Sequence, residues 1–263
     1  MQYLILNTQL DAFACQDERV LFCHQTDFVT HSNCFDNKEV IKIDTALAVI
    51  VSDNLAILTQ EKRQNAEFIA LRKLIANCDK VTVNRLAKAI QLVRFVQDHH
   101  FCSRCGTKTE SRASDNATIC PTCHYRQYPR IQPCVITAIV KNENGKPKLL
   151  LAHHQRAKAS GMYSLIAGFV EVGESLEQCV HREIAEEVGL TVTNLRYLSS
   201  QPWAFPSNLM MGFIADYVSG EVVIEEDELI HADFFALDDL PKIPSNGTIA
   251  FELIEWVKKN LEK

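Results

Sequence analysis

Two Cys-x-x-Cys pairs, Cys102-Ser103-Arg104-Cys105 and Cys120-Pro121-Thr122-Cys123, stand fourteen residues apart, with 106–119 between them. That spacing is near the one by which two knuckles bring four thiolates onto tetrahedral zinc. The stretch 99–126 is polar and short of large aliphatics. It cannot build a core of its own, so a bound metal supplies the folding free energy that packing cannot. A redox pair would need one motif opening a helix in a βαβ unit, and a nucleic-acid finger would need clustered basic and aromatic side chains. Neither context is present, and four cysteines leave no open coordination position for chemistry, so the expected role is structural. His99, His100 and His124 lie close in sequence, but the shell is already complete.

The module divides the 263-residue chain into three parts: 1–98, the ribbon 99–126, and 127–263. With 47% hydrophobic residues there is material for two cores. The first part carries strand-like runs, Arg19–Cys23 and Ala46–Val51, and helical periodicity predicts helices over 65–78 and 83–97. In the third part, 134–140, 148–152, 191–200, 211–218 and 234–236 read as strands, and 248–261 as a final helix. A balance of 33 acidic against 27 basic side chains argues against broad capture of nucleic acid backbones. The first residues lack the basic flank and apolar length of a signal peptide, and no window approaches a membrane span. A soluble cytoplasmic protein is expected, and ten cysteines, only four of them paired in motifs, suit a reducing compartment.

The segment Gly168 to Leu190 carries the chemistry. Ser175 with Gln178 makes a capping box and Gly189 a C-terminal stop, which predicts a helix over 176–188. At 100° per residue, Glu183 and Glu187 fall within about 20° of Leu176, and Glu186 sits one step to the side. Three acids on so narrow an arc repel one another unless cations intervene, and hard oxygen ligands favour Mg²⁺ or Mn²⁺. The bland alternative is a solvated acidic face in which Arg182 pairs with Glu186. Downstream, Gln201-Pro202-Trp203-Ala204-Phe205-Pro206-Ser207-Asn208 reads as a proline-stiffened loop whose aromatics either stack a flat heterocycle or plug the core. His153 and His154 read as surface or packing residues, and Cys134 and Cys179 as small buried hydrophobes.

Gly-x5-Glu-x7-Arg-Glu-aliphatic-x-Glu-Glu-x-Gly-aliphatic, from Gly168 to Leu190, resembles the Nudix box at every fixed position. The downstream loop, the cysteine module and Tyr128-Pro129-Arg130 are similar to the NADH pyrophosphatase branch, which also removes NAD caps from RNA; Ala204 and Asn208 depart from its loop signature. The resemblance covers about 99–255. It implies an α+β chain with a degenerate, non-catalytic Nudix-like N-terminal domain, a zinc ribbon, and a C-terminal Nudix α/β/α sandwich with a mixed sheet. It further implies that Ala167 through its carbonyl, Glu183, Glu186, Glu187 and Glu228 bind the catalytic Mg²⁺ or Mn²⁺. Glu174 and Arg182 would complete the catalytic set, with Arg182 orienting the acids. Tyr128, Phe169, the loop from Gln201 to Asn208 and Ala250 would contact substrate, with Arg72 and Asp115 as further candidates. The expected reaction is metal-assisted attack of water on phosphorus, giving a nicotinamide mononucleotide and AMP, in a homodimer. The rival reading is a non-catalytic regulator that binds dinucleotides or RNA ends.

Overall fold

The run Cys134–Val140, apolar but for Thr137, becomes the centre of a mixed sheet with both faces covered. The computed structural model describes residues 3–7, 14–16, 19–23, 48–51, 54–59, 66–76, 79–112 and 116–261. They fall into two compact units, Met1–Arg130 with Ala204–Ser207, and Ile131–Trp203 with Asn208–Lys263. Among the described residues no helix is long and apolar enough to cross a membrane.

In the first unit, β1 (Tyr3–Asn7), β5 (Asn54–Thr59) and β4 (Ala48–Val51) form one antiparallel sheet in that order. A second joins β2 (Ala14–Gln16), β3 (Arg19–Cys23) and β6 (Ala66–Ala70). Helices α1 (Leu71–Leu74) and α2 (Lys80–Asp98) follow. The helix expected over 65–78 is therefore corrected: Ala66–Ala70 is a strand, and among the described residues of that span only Leu71–Leu74 is helical. Antiparallel pairing from Arg19↔Ala70 to Cys23↔Ala66 outweighs a local propensity worth tenths of a kcal/mol per residue. The cysteine module adds β7 (Glu110–Arg112), β8 (Ala117–Ile119) and β9 (Arg126–Gln127). Asp115 lies outside the described residues.

The second unit contains β10 (Gln132–Glu143), β11 (Lys146–His154), β12 (Ile166–Phe169), α3 (Leu176–Val188), β13 (Thr191–Trp203), β14 (Asn208–Ser219), β15 (Leu229–Ala236) and α4 (Ile249–Leu261). Its sheet runs β13-β14-β10-β11-β15. β10 and β14 are parallel, while β12 pairs antiparallel with Cys134–Thr137 of β10 and β11 with Val140–Glu143. Alternate residues of β10 serve opposite faces. Ile136, Ala138 and Val140 join Ile249, Leu253, Ile254 and Val257 of α4, whereas Val135 and Ile139 join Val180, Ile184 and Val188 of α3. Each fully buried aliphatic contributes roughly 1.5–3 kcal/mol. Together these layers make the expected α/β/α sandwich with a mixed sheet.

Candidate active site

The two Cys-x-x-Cys segments fold as matching knuckles. Gly106 N donates to Cys102 O at 2.9 Å and His124 N to Cys120 O at 3.0 Å; Arg104 N reaches Cys102 Sγ and Cys123 N reaches Cys120 Sγ, both at 3.4 Å. The sulfurs stand 3.4 Å (Cys105–Cys120), 3.5 Å (Cys105–Cys123) and 3.6 Å (Cys102–Cys123) apart. Four sulfurs at 2.3 Å from a tetrahedral zinc would be about 3.8 Å from one another, so these thiols are placed to hold a metal. Among the described residues this is the one group of three or more histidine, cysteine or acidic side chains whose ligand atoms all lie within 4.8 Å.

The acids are organised by α3. Ser175 Oγ accepts from Gln178 N at 3.3 Å, and Gln178 Oε1 accepts from Ser175 N at 2.8 Å, giving the expected capping box. Gly189 closes the helix in the left-handed region at φ 69°, with its N–H on Ala185 O. Helix and sheet meet at Gly168, where a Cβ would fall 1.8 Å from Glu183 Cδ. Only glycine lets that carboxylate lie against β12.

Arg182 gathers the acids around it. Its Nε and Nη2 donate to the two oxygens of Glu174 at 2.9 Å each, Nη1 to Glu183 Oε1 at 2.8 Å and Glu186 Oε2 at 3.0 Å, and Nη2 also to Phe169 O at 2.9 Å. The pairing with Glu186 foreseen by the bland reading is present, but as one of several. Arg182 holds the Glu174 carboxyl down at about 2, helped by the Glu171 N–H. Burial pushes Glu183 up, with Arg182 opposing.

Glu187 differs. It is 2% exposed, and neither carboxylate oxygen has a hydrogen-bond partner. Burial first, then Glu228 and Glu183, push its carboxyl up to about 8. Two orphaned hard-oxygen acceptors in this position suit a divalent cation. Glu228 sits on a turn tied to α3, since Glu225 N donates to Glu187 O at 3.0 Å. The fold thus brings Ala167 and Phe169 on β12, Glu174, Arg182, Glu183, Glu186 and Glu187 on or beside α3, and distant Glu228 to one end of the sheet.

The aromatic segment is shorter as a loop than its prolines suggest. Gln201, Pro202 and Trp203 pair in β13 with Met210, Leu209 and Asn208 of β14, leaving Ala204–Ser207 as the turn. Gln201 is buried and its amide serves the fold: Nε2 donates to Gly247 O and Oε1 accepts from Ile249 N, each at 2.8 Å. This places it at the start of α4 beside buried Ala250. Trp203 packs partly buried on the α4-side core. In the first unit, Phe205 lies under the Arg72 guanidinium at 4.2 Å, and Arg94 Nη1 donates to Pro206 O at 3.1 Å. Tyr128 and Phe169 present exposed rings.

Cys134 and Cys179 are buried, each with its thiol pushed up to about 12 mainly by burial. His154 is buried and pushed down to about 4 by burial, while His153 packs 5.1 Å from the Tyr163 ring. Four consecutive acids, Glu225-Glu226-Asp227-Glu228, were the available signal for the turn bonded to Glu187, of which only Glu228 was anticipated.

A mixed sheet between two helical layers, with an arginine-centred acid network on the helix after β12, defines the class. Residues 132–257 match the family model of the NUDIX domain. A crystal structure of a Nudix hydrolase from Nitrosomonas europaea shares the fold at TM-score 0.51 and 23% identity, over 62% of this chain and 92% of that one. NAD-capped RNA hydrolase NudC of Photorhabdus laumondii is 43% identical over 72% of this chain and 72% of its own length. The protein of that name from Pasteurella multocida is 44% identical over 72% and 70%, and that from Klebsiella pneumoniae 48% identical over 64% and 63%. The chain belongs to the Nudix hydrolase family, in the branch that holds these NudC proteins.

Proposed function

We propose that this chain hydrolyses the pyrophosphate bond of NADH and NAD, releasing nicotinamide mononucleotide, reduced or oxidised, and AMP, and that it removes NAD caps from RNA 5′ ends. The observation that carries the reading is Glu187, a buried carboxylate with no donor, inside an acid set that Arg182 otherwise ties together. The NudC relatives, named as NAD-capped RNA hydrolases, support the choice of substrate.

Glu183, Glu186, Glu187, Glu228 and the Ala167 carbonyl would hold Mg²⁺ or Mn²⁺. Such cations activate water and offset charge on the phosphate oxygens of the reaction. Arg182 keeps Glu174, Glu183 and Glu186 in fixed positions, so little reorganisation accompanies the reaction. The exposed Phe169 ring offers a face for stacking a base, and Tyr128, the segment Gln201–Asn208 and Ala250 would contact substrate. The four cysteines, whose sulfurs are spaced for a metal, would hold one structural zinc. The division into a non-catalytic N-terminal domain (1–98), a ribbon (99–126) and a catalytic domain (127–263), a homodimeric assembly and a cytoplasmic location complete the reading.

The test is a product assay with Mn²⁺ on NADH, NAD, ADP-ribose and NAD-capped RNA under one set of conditions. Mononucleotide plus AMP from NADH and NAD, and uncapped 5′-monophosphate RNA, are expected. Binding of these ligands without cleavage would favour the rival, a non-catalytic reader of dinucleotides or RNA ends.

A further inference from the structure

Between β11 and β12 the chain makes a 3₁₀ turn, Gln155–Ser160, that buries none of its residues. Core packing therefore does not explain its shape. Polar bonds hold it at both ends: Gln155 N donates to Glu228 O at 2.8 Å, Gln155 Nε2 to Glu226 O at 3.0 Å, and Lys242 Nζ to Ser160 O at 3.0 Å. Glu225 N in turn donates to Glu187 O at 3.0 Å. The acidic turn 225–228 is thereby clamped between α3 and the residue that precedes Arg156.

Arg156 is exposed, and the structure gives its guanidinium no hydrogen bond or ion pair to any described residue. Four consecutive acids, Glu225 to Glu228, stand beside its turn. An arginine with only a structural task in that position would pair with one of them. Its turn is nevertheless bonded to the site, through Gln155 to the carbonyls of Glu226 and Glu228 and from Glu225 of the same acidic run to Glu187. Arg182 cannot serve an incoming anion in the same way, because three carboxylates and a carbonyl already occupy it.

We propose that Arg156 is a phosphate-binding residue, whose guanidinium takes non-bridging oxygens of the substrate's diphosphate on the side of the site formed by the 225–228 turn. This rests on the reading of the site as one for a dinucleotide pyrophosphate. A planar guanidinium donates two parallel hydrogen bonds to a phosphate, and the short anchored turn limits the freedom lost on binding.

The test uses the full chain with Mg²⁺ and titrates ADP and adenosine by calorimetry into wild type, Arg156→Gln and Arg156→Lys. Arg156→Gln should weaken ADP by about tenfold or more while leaving adenosine unchanged, and Arg156→Lys should recover part of the loss. Melting temperatures should agree, since the side chain is exposed and makes no hydrogen bond or ion pair with any described residue. Equal ADP affinity in Arg156→Gln and wild type overturns the proposal, and so does an equal loss for adenosine. A wild type that fails to cleave NADH removes the hydrolase reading alone, because the comparison of ADP with adenosine still judges Arg156.

Discussion

Arg182 touches Glu174, Glu183 and Glu186, whereas neither oxygen of Glu187 has a donor. Without divalent cations the folded state therefore keeps a proton on Glu187 up to about pH 8, while the unfolded chain releases it near 4.5. A folded-state value above the unfolded one gives stability that is complete below about 4.5 and lost as pH rises through about 8. Glu183, also raised, acts in the same direction, and Glu174, held at about 2, acts oppositely by losing its contribution as pH falls towards that value. In EDTA the stability of the wild type should thus fall from pH 5 to 8, by on the order of a few kcal/mol at about 1.4 kcal/mol per unit, read as a declining melting temperature. Glu187→Gln should flatten that slope, and apo Glu187→Gln at pH 8 should be at least as stable as apo wild type. The same variant should cut Mn²⁺-dependent NADH turnover by roughly a hundredfold or more. Near-wild-type turnover, or a large loss of apo stability, would return Glu187 to a structural role.

At the scale of the element, α3 carries its own boundaries. Ser175→Ala removes one side of the capping box and should cost about 1 kcal/mol, read as a fall of a few degrees in melting temperature. Gly168→Ala acts across elements, since its methyl would displace Glu183 from β12; turnover should fall far more than stability. Wild-type kinetics in Gly168→Ala would show that Glu183 need not lie against β12. These contrasts mark what was legible in the sequence. The limits of α3, the four-cysteine module and the acidic arc depend on residues near one another in the chain and could be read directly. Ala66–Ala70 is a strand because of β3, more than forty residues earlier, and its helix-like periodicity said nothing of that partner. The amide of Gln201 is bonded 46 and 48 residues away at Gly247 and Ile249, partners that no local pattern announces. Glu228 could be placed by resemblance, but its approach to Glu187, and Arg156 with it, is set by backbone bonds that no local pattern encodes.

The two units of the molecule draw on different sources of stability. The second has an extensive aliphatic core on each face of its sheet. Within the first, the described residues from Cys102 to Gln127 offer little buried apolar surface beyond Cys102, Ala117 and Cys120 themselves, so the knuckles are expected to depend on the metal that the four sulfurs are spaced to hold. The purified full chain should therefore contain one zinc per chain. A strong zinc chelator, or Cys102→Ser, should release the segment while leaving the sandwich folded. Hydrogen exchange resolves the two: amides of β8 and β9 should lose protection on chelation, while those of β10 and β14 keep theirs. If Mg²⁺ or Mn²⁺ is then restored to excess, exchange in β8 and β9 should stay fast, because hard cations do not replace zinc among thiolates. Protein that is free of zinc as isolated from unchelated preparations, or unchanged exchange in β8 and β9 after chelation, would show that the segment folds without the metal and that its cysteines have another task.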